Sequence, residues 1–312
     1  MPKIGLLLRR ARRRQMFLVM RSILRVTGFG SARPLGRVLA AMQFRFAWRE
    51  RQRCVRDMAA LLKRPADDPV VCAQMREAYR VNTVAALEVL AMFDRHQNER
   101  LLASQLEIEG LEHVREVLAA GRGAILLAAH MGNGALLAVH LSCSGWPVSV
   151  VYRQSRMMSA DFFEKGLPLY GIEGILANAG IRAYGRMLDA LRRGRVVFVM
   201  MDQGTKAVED GIVMRFLGKD MPMPAGPAQL ARHSGAPVLP MLTTAAEPRW
   251  RFTISAPVKR EAGASLESDA LNLARITERQ ILQYPQLWSW HHRRWRNYPP
   301  APDDRPSQAA PR

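Results

Sequence analysis

With 312 residues, 48% of them apolar, the chain is long enough for one large α/β domain plus an appendage and apolar enough for a sizeable core. Its formal net charge of +19 is unevenly spread and points to anionic partners. Cys54, Cys72 and Cys143 lie far apart with no Cys-x-x-Cys. That excludes a disulfide framework or a cysteine-built metal site, and favours a reducing compartment with all three as buried structural thiols.

Residues 1–50 form a basic segment. No acid occurs between Met1 and Arg49, while Lys3, Arg9, Arg10, Arg12, Arg13, Arg14, Arg21, Arg25, Arg33, Arg37, Arg45 and Arg49 interleave with Leu, Ile, Phe, Met and Val. Apolar side chains between arginines suit a helical segment lying on an anionic bilayer. A basic helix packed on the protein's own core is the main alternative. An arginine-rich transit peptide would carry more Ser, and a nucleic-acid arm fewer large apolar residues, so no nucleic-acid partner is expected. No run reaches the ~18 apolar residues of a spanning helix, and Arg21 and Arg25 interrupt the best candidate.

Residues 51–109 are expected to be helical, with almost no strand signal. Pro65 to Pro69 marks a turn and a helix boundary, and Glu88 is a lone acid in the apolar stretch Val81 to Phe93. From 110 to 298 helices and strands alternate. Helices are expected at Leu111–Ala120, Ala135–Leu141, Ser159–Tyr170, Arg182–Arg193, Pro227–His233 and Leu266–Gln283. Strands are expected at Ala124–Ala129, Pro147–Tyr152, Gly174–Ala177, Val196–Met201 and Val238–Leu242, with an antiparallel edge strand at Trp250–Ser255. This alternation predicts an α/β fold, a mostly parallel central sheet flanked by helices. Pro299 to Arg312 has the composition of a disordered tail.

The strand Ala124–Ala129 ends at His130 and turns through Gly132-Asn133-Gly134. A histidine at the carboxyl end of a parallel strand lies where open α/β sheets bind ligands. Neutral imidazole, with an ordinary pKa near 6.5, suits deprotonation of a hydroxyl. The turn would add free backbone N–H groups and the Asn133 amide for an anion or developing oxyanion. A His-x4-acid pair would need its carboxylate at Ala135, which has none. Asp202, after the strongest buried strand and followed by Gln203, lies on the same sheet edge, although Asp also suits a plain turn. The dinucleotide reading of the glycines is weak because Leu137 stands where the third small residue belongs. The Pro- and Gly-rich stretch from Phe216 to Pro227 reads as a rigid loop over the sheet edge or, equally, as a simple connector. The adjacent His291 and His292 do not give the i, i+4 spacing of metal ligands, so no metal is expected.

In combination these blocks resemble the late lipid A acyltransferases of the bacterial lysophospholipid acyltransferase superfamily. The resemblance runs from about Met16 to Arg296. It rests on Asn82 and Glu88, the strand-borne His130-x-Gly132-Asn133, Val151-Tyr152-Arg153, Met201-Asp202-Gln203, Phe216-Leu217-Gly218 and Gly226-Pro227 through Pro240. The most specific block is Pro285…Trp288-Ser289-Trp290…His292-Arg293-Arg294-Trp295. The resemblance implies a glycerolipid acyltransferase-like fold and transfer of an acyl chain from acyl carrier protein, or acyl-CoA, to a lipid hydroxyl. It places this at the cytoplasmic face of the inner membrane and implies no cofactor. His130 would be the base; Asn133, Arg153, Gln203, Phe216, Gly218 and Arg293 would contact substrate. The family pattern has Asp or Glu at the position of Ala135. Asp202 is the first candidate for a relocated acid and Glu88 the second; the alternative is a non-catalytic relative that binds acyl lipids or partners an active enzyme.

Overall fold

The computed structural model describes residues 2–153, 161–205 and 211–292, with side chains from residue 14 onward. The chain opens with four helices, α1 (Pro2–Thr27), α2 (Ala32–Phe46), α3 (Trp48–Leu62) and α4 (Pro69–Asp94), then the short α5 (Glu99–Ala103). There follow β1 (Leu106–Glu109), α6 (Leu111–Ala119), β2 (Ala124–Ala128), α7 (Gly134–Cys143) and β3 (Val148–Tyr152). Next come α8 (Phe162–Gly166), β4 (Glu173–Leu176), α9 (Ile181–Arg192) and β5 (Val196–Met200). The last elements are β6 (Ile212–Phe216), β7 (Lys219–Met223), α10 (Gly226–Ser234), β8 (Val238–Ala245), β9 (Trp250–Ile254) and α11 (Leu266–Gln283).

A seven-stranded sheet has the order β1-β9-β8-β2-β5-β3-β4. All its pairings are parallel except β8 with β9. The two central strands, Ala124-Ile-Leu-Leu-Ala128 and Val196-Val-Phe-Val-Met200, are apolar throughout, and β2 is buried at every residue. Strands covered by helices on both faces need this continuous pattern rather than alternation. The expected α/β architecture is present, with the helical N-terminal region packed against it around one contiguous core.

Four expectations need correction. Trp250–Ile254 does run antiparallel to β8, but it is not the edge: Leu106–Glu109, expected to be non-strand, pairs with it in parallel and forms the edge. Four residues of Leu-Glu-Ile-Glu are too short for periodicity to be decisive, and their partner lies 144 positions along the chain. The stretch after Gly211 holds an antiparallel hairpin, β6–β7, where a loop was expected. The helix expected over Ser159–Tyr170 is short: α8 gives way to a 3-10 turn at Leu167–Tyr170, and part of the expectation falls outside the described residues, as does the Pro299–Arg312 tail. Of the thiols, only Cys54 is fully buried; burial pushes it up to about 11.

The long α4 organises the N-terminal half. Asp68 caps it by accepting from the Val70 N–H at 2.7 Å, and Pro69 occupies its first turn, where a missing N–H costs nothing. From Val81 to Phe93 it is nearly all buried, with Glu88 inside. Helix α2 lies directly on it: a Cβ at Gly36 would stand 2.8 Å from the Val84 Cα. We expect Gly36→Ala to destabilise the fold by about 1–3 kcal/mol in denaturant unfolding, because backbone rather than a flexible side chain must yield.

Glu247, in the loop between β8 and β9, ties α2 and α4 to the sheet by accepting from Arg37 at 2.8 Å and from Arg80. Burial alone would raise the Glu247 carboxyl, but Arg37 and Arg80 outweigh it and hold it below the usual carboxylate range. A carboxyl lowered in the folded state adds stability above its unfolded pKa and loses it as pH falls through the folded value. The stability gap between wild type and Glu247→Gln, from urea unfolding, should therefore be present at pH 7 and shrink as pH drops below about 4.

Candidate active site

The site follows from strand register. β2 and β5 pair in parallel with Ala124 opposite Val196 and Ala128 opposite Met200. Continuing two residues beyond each strand brings His130 opposite Asp202, and side chains two apart on a strand share a face. The Met201 N–H still donates to the Ala128 carbonyl at 3.1 Å, so the register persists past the strand ends. His130 Nδ1 lies 2.6 Å from Asp202 Oδ1. The other carboxylate oxygen accepts from the Trp288 indole N–H at 2.8 Å. Asp202 is fully buried, whereas the His130 side chain is about one third exposed.

With Nδ1–H donating to Asp202, the imidazole keeps its lone pair on Nε2, the tautomer a general base needs. The Gln203 amide nitrogen lies 3.5 Å from that Nε2, and the His292 ring lies 5.0 Å from the His130 ring, centroid to centroid. The turn after His130 is held from the C-terminal segment. Ser289 N–H donates to the His130 carbonyl at 2.9 Å, Gly132 N–H donates to the Leu287 carbonyl at 3.0 Å, and Met131 bridges Trp288. Gly132 has φ +58, and a Cβ there would meet the Thr243 side chain at 2.6 Å, so the turn requires glycine. Asn82, from α4, donates to the Trp288 carbonyl at 3.0 Å.

Glu88, itself fully buried, sits in a separate network. Its Oε1 accepts from Arg33 Nε at 2.9 Å; its Oε2 accepts from Asn133 at 2.8 Å and Trp250 Nε1 at 2.6 Å. Burial pushes this carboxyl up, and Arg33, Asn133 and Trp250 only partly pull it back. Glu88 is thus spent on fixing α2, β9 and the His130 turn, and Asp202 is the acid that meets the histidine.

The remaining sequence-derived residues fall in different places. Asn133 turns inward: its amide N–H goes to Glu88 and its oxygen caps α7 through the Leu136 N–H at 3.1 Å, so the amide does not face an oxyanion. Gly132 N–H, expected to be free, is bound. Arg153 is exposed at the end of β3, one strand beyond β5 on the same sheet edge. Phe216 is buried in β6, and Gly218 forms the hairpin turn with φ +77. That hairpin is fastened to α11 by Leu217 N–H and Glu278 at 2.5 Å, and to the loop leaving Asp202 by Thr205 N–H and the Pro222 carbonyl at 2.8 Å. Arg293 lies outside the described residues. Sequence reasoning treated Trp288 as part of an aromatic block and missed it as the second hydrogen-bond partner of Asp202; no local pattern links positions 86 residues apart. Among the described residues, no group of three or more His, Cys, Asp or Glu side chains gathers as a metal site would.

A mostly parallel sheet carrying a histidine and a buried aspartate on adjacent strand ends defines an α/β protein with a His–Asp pair at the sheet's carboxyl edge. The chain belongs to the bacterial lipid A biosynthesis acyltransferase family, whose sequence model matches residues 7–297. It is 27% identical over 241 residues to the phosphatidylinositol mannoside acyltransferase of Mycobacterium tuberculosis H37Rv, covering 73% of this chain and 71% of that one. It is 25% identical over 208 residues to the lipid A biosynthesis lauroyltransferase of Escherichia coli K12, covering 64% and 65% respectively. The crystal structure of the 1-acyl-sn-glycerophosphate acyltransferase from Thermotoga maritima aligns over 87% of this chain and 98% of its own, with a TM-score of 0.39 and 14% identity.

The Glu88 network makes a stability prediction. Glu88→Gln leaves the Arg33 guanidinium without its counter-charge in a site only 15% exposed. Breaking one side of a buried pair typically costs about 3–5 kcal/mol, so chemical denaturation should show a loss of that order. A change under about 1 kcal/mol would mean that the pair is already solvated.

Proposed function

We propose that this protein is an active O-acyltransferase that moves a fatty acyl chain from an acyl carrier protein thioester to a hydroxyl of a lipid A precursor or related glycolipid at the cytoplasmic face of the inner membrane. The observation that carries the proposal is the His130–Asp202 pair, with Nε2 left on the exposed side. His130 Nε2 takes the proton of the acceptor hydroxyl as that oxygen attacks the thioester carbonyl. The tetrahedral intermediate collapses with loss of the thiolate, and the imidazolium returns its proton to the leaving sulfur. Asp202 fixes the tautomer and stabilises the imidazolium, and Trp288 keeps the carboxylate oriented. Gln203, beside Nε2, is placed to touch the acceptor. Arg153 and Arg293 are proposed to meet the anionic parts of acceptor or donor, and Phe216 and Gly218 to shape the neighbouring wall through the hairpin.

The non-catalytic alternative drew its support from Ala135, and Asp202 supplies the carboxylate that Ala135 lacks. Two related acyltransferases, one named for phosphatidylinositol mannoside and one for lipid A biosynthesis, support a glycolipid acceptor class without choosing within it. Residues 1–50 are proposed to face the membrane, and their arginines also suit an acidic carrier protein.

Acyl transfer from acyl carrier protein to a panel of lipid acceptors tests the proposal. His130→Ala should abolish transfer. Asp202→Asn, which leaves the shape but favours the wrong tautomer, should lower kcat by about 10²- to 10⁴-fold with KM little changed; a serine protease is the reference case for this effect. Trp288→Phe should lose about tenfold. Ala135→Glu should bring no gain, because Nδ1 already has its acid. If wild type and His130→Ala are equally silent on every acceptor while both bind lipid, the enzyme reading fails.

A further inference from the structure

Helix α9 carries a charge that the rest of the α/β region does not. Residues 61–180 are close to balanced, with eleven Lys or Arg against thirteen Asp or Glu. Residues 181–195 then hold five arginines, at 182, 186, 192, 193 and 195, and a single acid, Asp189. Ile181, Arg182, Gly185, Arg186, Arg192 and Arg193 are exposed and share one side of the helix, an arc of about 140°. Ala183, Ala190 and Leu191 are buried on the opposite side. Arg186, Arg193 and Arg195 all reach the one carboxylate of Glu173, at 3.3, 2.9 and 3.1 Å, and Arg193 also meets Asp189. Two carboxylates thus stand against five guanidinium groups, and the excess on this face is positive.

Two residues on the face are not explained by the fold. Gly185 lies mid-helix, where glycine is less favourable than alanine. A Cβ there would meet nothing within 4 Å among the described residues, so no neighbour in the chain requires the glycine. A bare backbone on an exposed helix face lets a second backbone come close. Ile181, at the start of the helix, is 82% exposed. An apolar residue and a bare backbone ringed by arginines have the make-up of a protein interface, apolar at its centre and charged at its rim.

The face begins at the sheet edge that holds the site. β4 ends at Leu176, a 3-10 turn covers Ala177–Ala179, and Ile181 opens α9. The strands β2, β5, β3 and β4 run parallel, and three strand spacings, about 14 Å, separate the His130 strand from β4. A partner seated on α9 would reach His130 through a long flexible arm rather than by direct contact, which is how an acyl group on a pantetheine arm is delivered. We propose that the exposed face of α9 docks an acidic helix of the acyl carrier protein. Arg182, Arg186 and Arg192 meet its carboxylates, Ile181 meets its apolar side chains, and Gly185 marks the closest approach. The proposal rests on the acyl-carrier reading above and extends it from the identity of the donor to the surface that receives it. The arginines of α1 and α2 match the carrier less well, because Arg21, Arg25, Arg33 and Arg37 are paired with acids of the chain itself. A second copy of this chain is a poorer occupant, since a symmetric contact would set the arginines of α9 against their own copies.

Binding of fluorescently labelled holo-acyl carrier protein to the full-length protein, read by anisotropy, tests this without turnover. Arg182→Glu with Arg192→Glu should weaken binding by about tenfold or more. Gly185→Leu should weaken it through bulk alone, whereas Gly185→Ala should raise the melting temperature, as expected where the fold does not need the glycine. In acyl transfer the charge reversal should raise KM for the acylated carrier with kcat unchanged, and leave KM for acyl-CoA as in wild type. Circular dichroism establishes that the variants are folded, since the replaced residues are exposed. Carrier binding equal to wild type in the folded charge-reversal and Gly185→Leu variants would overturn the proposal. So would an equal loss with acyl-CoA, or a loss seen with anionic vesicles and not with the carrier. If wild type does not bind the carrier, both the docking face and the carrier as donor fail. A protein that binds the carrier through α9 yet transfers no acyl group would count against the catalytic reading alone.

Discussion

The parallel pairing of β2 with β5 is the constraint on which the site depends. Both strands are apolar along their length, so they can occupy only the centre of a sheet covered on both faces, and there they become neighbours. Their register then sets His130 against Asp202, two residues past each strand end. A slip of one residue would turn one of the two side chains to the opposite face and separate the histidine from the aspartate. The C-terminal segment locks this arrangement by three contacts: the Trp288 indole on Asp202, Ser289 on the His130 carbonyl and Leu287 on Gly132.

Two carboxylates near the site have different uses because their surroundings differ. Glu88 is enclosed by Arg33, Asn133 and Trp250, which occupy both of its oxygens. Asp202 gives one oxygen to Trp288 and the other to His130, so its negative charge is directed at the imidazole. In the first case the charge braces a helix, a strand and a turn. In the second it sets a tautomer.

The basic N-terminal region packs on the protein's own core, one of the two uses that composition presents as alternatives. One face of α2 packs on α4 so closely that only glycine fits at position 36, and arginines from α1 and α2 pair with acids of α4 and of the loop after β8. The opposite face is left apolar.

Sequence alone determined the α/β class, most of the helices and central strands, the position of His130 at a strand end and the candidacy of Asp202. These follow from local signals: continuous apolar runs, helical periodicity and glycine turns. It also left Glu88 and Asp202 as rival acids and could not see that Asn133 and the Gly132 N–H face inward. It missed β1, whose four residues carry too little pattern, the β6–β7 hairpin, hidden by Pro and Gly, and the hold of Trp288 on Asp202. Apart from the hairpin, whose two strands adjoin in sequence, only the tertiary structure decided these, because each depends on a partner far along the chain: β9 for β1, Trp250 and Arg33 for Glu88, β5 for His130. Local sequence specifies what a segment prefers to be, whereas a hydrogen-bond partner across the sheet is fixed by topology and register.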